Sequence, residues 1–327
     1  MKKVYIFYFI ASLLFFTGCD ITLNNKNSKT TSANSTISDH FFAENDVCVK
    51  LLNNGSLTNV HTSSPSVYIS GKDVYITFFK ENKLYRFNQS NEKEFIANDT
   101  WNCFLKDNVL YCEDWGGTTA SSTSLSILSE KQKIEIMNEC DFTYGKSAIY
   151  VKPHGKNQLY AVKYGTNEIN FVTDIPSGYY FDAEYNNYLW FYGPEGLYCS
   201  QLNGSKLKLI LPDCFTVLGY RNNHIYFRKD NNLHRFSILT NEVFSFEVPL
   251  IGVRACNFTD DNCLLANEKG LFSYNSDFTD IRQISNIESI QSICVLNDTI
   301  IIGYLDESER EIFSSIDENG NILRTFQ

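Results

Sequence analysis

Between Val67 and Gln327 the apolar residues fall in short clusters that recur along the chain in one fixed order. A first pair recurs as Val74-Tyr75, Leu110-Tyr111, Ile149-Tyr150, Leu189-Trp190, Ile225-Tyr226, Cys263-Leu264 and Ile300-Ile301. The second residue of that pair steps along by 36, 39, 40, 36, 38 and 37 positions. A second anchor follows each time, at Leu84, Leu125, Leu159, Leu197, Leu233, Leu271 and Ile312. Polar turn residues punctuate the clusters, as at Asp107-Asn108, Asn186-Asn187 and Asn222-Asn223. Within a unit the runs are short, rich in Tyr, Phe, Ile, Val and Thr, and free of a helical period, so they predict strands. The fifth unit predicts four of them, over residues 215–220, 224–228, 233–238 and 243–247.

A four-stranded antiparallel sheet of that size cannot bury both faces alone. A repeat of about 38 residues stacked around an axis solves the problem, because each sheet covers its neighbours. The expectation is an all-β chain folded as a β-propeller of four-stranded antiparallel blades, seven by this count. Residues 47–63 add one or two strands that either close the ring onto the last blade or contribute to an eighth.

The N-terminus follows a different pattern. Met1-Lys2-Lys3 is basic, the next 14 residues are almost all apolar, and the run is short for a membrane span of about 20 residues. It ends in Phe16-Thr17-Gly18-Cys19, which resembles a bacterial lipobox with Phe16 in place of the usual leucine or alanine. That resemblance implies a signal peptide over 1–18 and lipidation of Cys19, palmitate included. Residues 19–45 then form a polar tether with little to bury, and 46–327 the propeller. The implied location is the extracytoplasmic face of the cell membrane, reached through a lipid anchor.

Composition changes this picture little. Loss of Lys2 and Lys3 with the leader takes the formal charge from −10 to −12. An acidic chain without a basic stripe argues against a nucleic-acid partner.

The blades themselves carry a resemblance. Asp73-Val74-Tyr75-Ile76 with Lys83-Leu84-Tyr85-Arg86-Phe87, His224-Ile225-Tyr226-Phe227 with Asn232-Leu233-His234-Arg235-Phe236, and Gly196-Leu197-Tyr198 followed by Asn203-Gly204-Ser205 form a common pattern. It resembles the low-density-lipoprotein-receptor-like propeller domains of bacterial surface lipoproteins, over about residues 67–327. Such domains are often six-bladed, so six and eight stand beside the count of seven. Their motifs specify blades rather than chemistry.

Nine cysteines follow Cys19. A two-residue turn at Asp107-Asn108 would set Cys103 opposite Cys112, and one at Thr259-Asp260 would set Cys256 opposite Cys263. These are the candidate disulfides, beside the alternative of small buried side chains. No Cys-x-x-Cys pair or Cys/His spacing points to a metal, and no cofactor is implied. The five histidines fit neither a His-Glu-x-x-His nor a triad pattern.

Candidate binding residues lie where second-to-third-strand loops and outer-to-inner connections share one end of a propeller. The residues 113–124 read as its longest loop, carrying Asp114 and Trp115. His154, Tyr179, Tyr192 and Arg254 fall at the same end. Aromatic plates among polar groups suit a surface glycan, a peptide or a protein. Three readings follow: a non-catalytic surface lipoprotein that binds a ligand or another surface protein, a glycoside-hydrolase-like enzyme in the central channel, and a structural spacer in an envelope assembly. Two acids about 5–10 Å apart would mark the hydrolase.

Overall fold

The computed structural model describes residues 67–327, except 71, 79, 107–108, 116–122, 130–131, 231, 250–252, 260 and 297–298. The leader, Cys19, the tether and the strands expected over 47–63 lie outside the described residues. What is described is a seven-bladed β-propeller: seven four-stranded antiparallel sheets, each made of four consecutive strands in simple up-and-down order. In blade five these are Val217–Arg221, His224–Lys229, Asn232–Ser237 and Val243–Pro249, from the inner strand to the outer one.

Local chemistry sets the hairpins. Asn186 and Asn187 take φ of 51° and 61°, and Asn222 and Asn223 take 48° and 60°. Two successive left-handed residues make the turn whose twist matches its flanking strands, and asparagine tolerates that region best among residues with a side chain. Glycine is required at Gly196 and Gly270, with φ of 142° and 125°, where a Cβ would sit 2.2 Å from the Leu211 carbonyl and 2.1 Å from that of Ser285. Each starts a third strand and is followed at once by the second anchor, Leu197 or Leu271.

The second anchors are equivalent in register. Leu84, Leu125, Leu197, Leu233 and Leu271 each pair with the residue two beyond the first anchor of their blade. All five, and Leu159, are fully buried. Blade seven corrects the sequence reading by one position. There Phe313, not Ile312, pairs with Gly303, two beyond Ile301. Phe313 is 0% exposed and Ile312 9%. An aromatic side chain fills the slot that leucine fills elsewhere, which hid the shift. Just after the leucine, the third-to-outer pairing slips by one residue in blades one, two, three, four and six. The extra outer-strand residue is Ile96, Ile136, Val172, Ile210 or Ile284, a bulge filled each time by a β-branched aliphatic.

The core lies between blades. Seven apolar clusters occur among the described residues, and each joins one blade to the next. The cluster that closes the ring packs Val67, Ile76, Phe78 and Phe87 of blade one against Ile301, Phe313 and Phe326 of blade seven. Arginines stitch three junctions from outside. Arg235 donates to the Ser276 carbonyl, Arg282 to Glu318 O and Asn319 Oδ1, and Arg324 to Asn88 O and Asn91 Oδ1. Each acceptor lies in the third-to-outer turn of the next blade.

The thiols divide. Cys103 pairs directly with Cys112 between the first two strands of blade two, as expected. Cys256 instead pairs with Leu265, and Cys263 with Phe258, and just beyond that pair the Thr259 N–H donates to the Asn262 carbonyl. Cys256 and Cys263 are therefore diagonal rather than directly opposed neighbours, close enough for the two side chains to hydrogen-bond, and burial together with the Cys256 thiol pushes the Cys263 thiol well above its ordinary value. All four are buried, and none is in a disulfide in this structure.

Two outcomes follow from this packing. Phe313→Ala should lower unfolding free energy by about 3–5 kcal/mol, and Ile312→Ala by clearly less, as read from urea midpoints. Thiol titration of the unfolded, unreduced protein should find Cys256 and Cys263 reduced, as they are in this structure, and their joint loss would show the diagonal pair to be bridged.

Candidate ligand-binding face

In an up-and-down blade, each inner strand begins and each second strand ends on the same side of the ring. That side therefore carries the outer-to-inner connections and the second-to-third turns. The sequence-selected residues share it but do not form one site. Asp114 and Trp115 are not loop residues. They end the second strand of blade two, paired with Ser124 and Thr123, so the connection shrinks to 116–122. Asp114 is buried, as strand alternation at that position demands. His154 hydrogen-bonds the Asp141 carboxylate at 3.1 Å, and its backbone N–H donates to Glu139 O. Tyr179 packs edge-on against Tyr198 with ring centres 4.8 Å apart. Arg254 donates to Glu288 O at 3.3 Å, one connection further round.

Tyr192 belongs to an interior constellation that the sequence reading missed. The inner strand of blade four, Tyr180–Tyr185, slips register between Phe181 and Ala183, leaving Asp182 as the extra residue. The bulge re-aims its side chain toward the junction with blade five. There the Asp182 carboxyl accepts the Tyr220 hydroxyl and also bonds that of Tyr192. Tyr192 in turn accepts the backbone N–H of Val217 at 2.7 Å. Asp182 as a whole keeps some surface exposed, but its carboxyl is enclosed. Burial raises its pKa to about 6, against the lowering effect of the two phenols. The buried Cys214 thiol is pushed up to about 12 by desolvation, and it feels both Asp182 and Lys229. Glu184, two residues on, is buried at the junction with blade three and accepts from Ser147 N and Oγ, each at 3.2 Å. Two carboxylates in an otherwise apolar inner strand, Phe181-Asp182-Ala183-Glu184-Tyr185, were the legible signal.

Cys214 links this interior to the surface. The same connection carries Asp213, Phe215 and Thr216, which with Arg228, Lys229 and Asp230 line an open pocket of about 450 Å³. The sequence pattern makes Phe215 the first residue of an inner strand. The strand starts at Val217, leaving Phe215 in the connection, 53% exposed. Asp213 lies 3.4 Å from Lys229 across an exposed ion pair. Beside the neighbouring connection, Tyr180 is 63% exposed, with the Lys152 ammonium 5.9 Å from its ring centre. Among the described residues, no group of three His, Cys, Asp or Glu could hold a metal ion.

No family model matches the chain, and no curated protein sequence matches it. Solved structures do match in fold. A streptogramin B lyase superposes with a TM-score of 0.56 at 16% identity, over 80% of this chain and 94% of that one. A puromycin hydrolase gives 0.56 at 11% identity, over 88% of this chain and 57% of the hydrolase. Sqt1 of Saccharomyces cerevisiae gives 0.50 at 9% identity, over 78% and 82%. At these identities the likeness is one of fold alone.

Asp182 makes stability pH-dependent in a definite direction. Its folded-state value of about 6 lies above the ordinary 3.8, so between these values the folded chain holds a proton that the unfolded chain has released. This group therefore adds stability as pH falls from about 6 to 4 and withdraws it as pH rises through that window. His224 and His234 are lowered by burial and act in the opposite sense. Comparison with Asp182→Asn isolates the carboxyl. The wild-type-minus-variant unfolding free energy should fall by on the order of 2–3 kcal/mol from pH 4 to 7, measured by urea unfolding at each pH.

Proposed function

We propose that the protein is a lipid-anchored surface protein whose propeller binds a ligand or another surface protein without catalysis. In this reading Cys19 carries the acyl anchor at the extracytoplasmic face, and residues 19–45 hold the propeller away from the bilayer. The blades belong with the low-density-lipoprotein-receptor-like propellers of bacterial surface lipoproteins. The observation that supports binding is Phe215, an aromatic ring left half exposed on a connection and surrounded by Asp213, Thr216, Arg228, Lys229 and Asp230. Burying an exposed aromatic is a large apolar gain on association, and polar side chains around it give direction.

The arrangement favours binding over hydrolysis. A glycoside hydrolase needs one carboxyl raised to act as an acid and a second free to attack or to activate water. The raised carboxyl beside this pocket, Asp182, is enclosed by two phenols. Asp213, at the surface, is engaged by Lys229. The lyase and hydrolase names among the structural neighbours describe those proteins.

Two measurements test the proposal. Cys19→Ser should shift the protein from the membrane fraction to the soluble fraction, and a variant as membrane-bound as wild type removes the anchor. Labelled protein should bind envelope fractions of the producing cell saturably, and Arg228→Glu should weaken that binding with an unchanged melting temperature. Unaltered binding by that variant moves the site off this face.

A further inference from the structure

The backbone on both sides of Phe215 is anchored. Cys214 before it is fully buried, and the Thr216 carbonyl after it accepts the Arg228 N–H at 2.9 Å. Val217 is held next by the bond from its N–H to the Tyr192 oxygen. A backbone held in this way lowers the ordering cost of meeting a ligand. Around it the formal charges cancel, with Arg228 and Lys229 set against Asp213 and Asp230.

We propose, on the binding reading of this face, that the pocket recognises a neutral sugar segment of a glycan, its ring stacked on Phe215 and its hydroxyls bonded by the polar side chains around it. A pyranose presents an apolar C–H face and a rim of hydroxyls, each both donor and acceptor. The pocket offers the matching set: one aromatic plate, donors from Arg228 and Lys229, acceptors from Asp213 and Asp230, and the Thr216 hydroxyl as both. An anionic ligand would meet two carboxylates, and a cationic one would meet a guanidinium and an ammonium. A neutral polyol meets neither penalty. The volume of about 450 Å³ lies in the range of small-ligand pockets, so the site takes a short stretch of sugar rather than a broad surface. The exposed ring of Tyr180 begins the inner strand of blade four on the same side of the propeller. It offers a second plate for a chain that runs on toward blade four.

The test is an array probed with the detergent-solubilised full chain. One arm carries neutral di- to pentasaccharides of glucose, galactose, mannose and N-acetylglucosamine. A second carries their sialylated and sulfated counterparts, and a third carries random heptapeptides. The expected result is binding to members of the neutral arm, weakened about tenfold or more by Phe215→Ala and retained by Phe215→Trp. Melting temperatures should match wild type, because Phe215 lies outside the interblade clusters. Raising salt from about 50 mM to about 500 mM should leave that binding nearly unchanged, since no net charge drives it. Binding confined to the anionic arm, with a steep salt dependence, overturns the neutral-sugar assignment. Peptide binding abolished by Phe215→Ala overturns it while leaving a binding face at this pocket. Binding in no arm that depends on Phe215 overturns both.

Discussion

Everything in this molecule depends on apolar burial between sheets rather than within them. A blade of four strands has two faces and a small area, and neither face can be covered from inside the blade. Each of the seven clusters is therefore a contract between neighbours, with Leu84, Leu125, Leu159, Leu197, Leu233, Leu271 or, at the closing junction, Phe313 supplying a side chain that no water reaches. A fully buried leucine contributes about 1.5–3 kcal/mol. That is a sizeable fraction of the net stability of about 5–15 kcal/mol typical of a folded domain. Loss at any one junction leaves two faces uncovered.

The same constraint shapes the candidate site. Inner strands converge, and one that kept perfect alternation would send each polar side chain either into a neighbouring blade or away from it. The bulge at Asp182 breaks that alternation at one residue. It delivers a carboxyl to two phenols instead of to an apolar face. One of them, Tyr192, then accepts the N–H of Val217, the strand residue next to the connection that presents Phe215. Interior polarity and exposed aromatic surface are thus two ends of one hydrogen-bonded chain, running from Tyr220 through Asp182 and Tyr192 to Val217.

The blades were legible because their signal is repeated and local. Seven copies of an apolar pair, a polar turn and a leucine state their register redundantly, and asparagine pairs such as Asn186-Asn187 mark turns by their own backbone preference. Blade seven misled by one residue because the pattern sought an aliphatic where Phe313 performs the same burial. The site was less legible for a physical reason. Whether Trp115 ends a strand or begins a loop, and whether Phe215 opens a strand or precedes it, depends on cross-strand pairing. The polar run after Trp115 reads the same in either case. Tyr192 was singled out as a surface aromatic, yet its hydroxyl serves a partner on the next blade. Side chains that act across a junction leave no periodic trace, since their partners lie about one full repeat away.

Because every sheet is assembled from four consecutive strands, ring closure relies on no strand shared between the first and last blades of the described chain. Lys80 N meets Glu311 across a sequence separation of 231 residues. At synthesis rates of about 5–20 residues per second, the apolar side of blade one waits on the order of ten to fifty seconds for its cover to emerge. During that interval the nascent protein is an open arc with one sticky end, able to mate with any equivalent edge nearby. Phe313, Phe326 and Arg324, in the last blade of the described chain to be made, supply that cover.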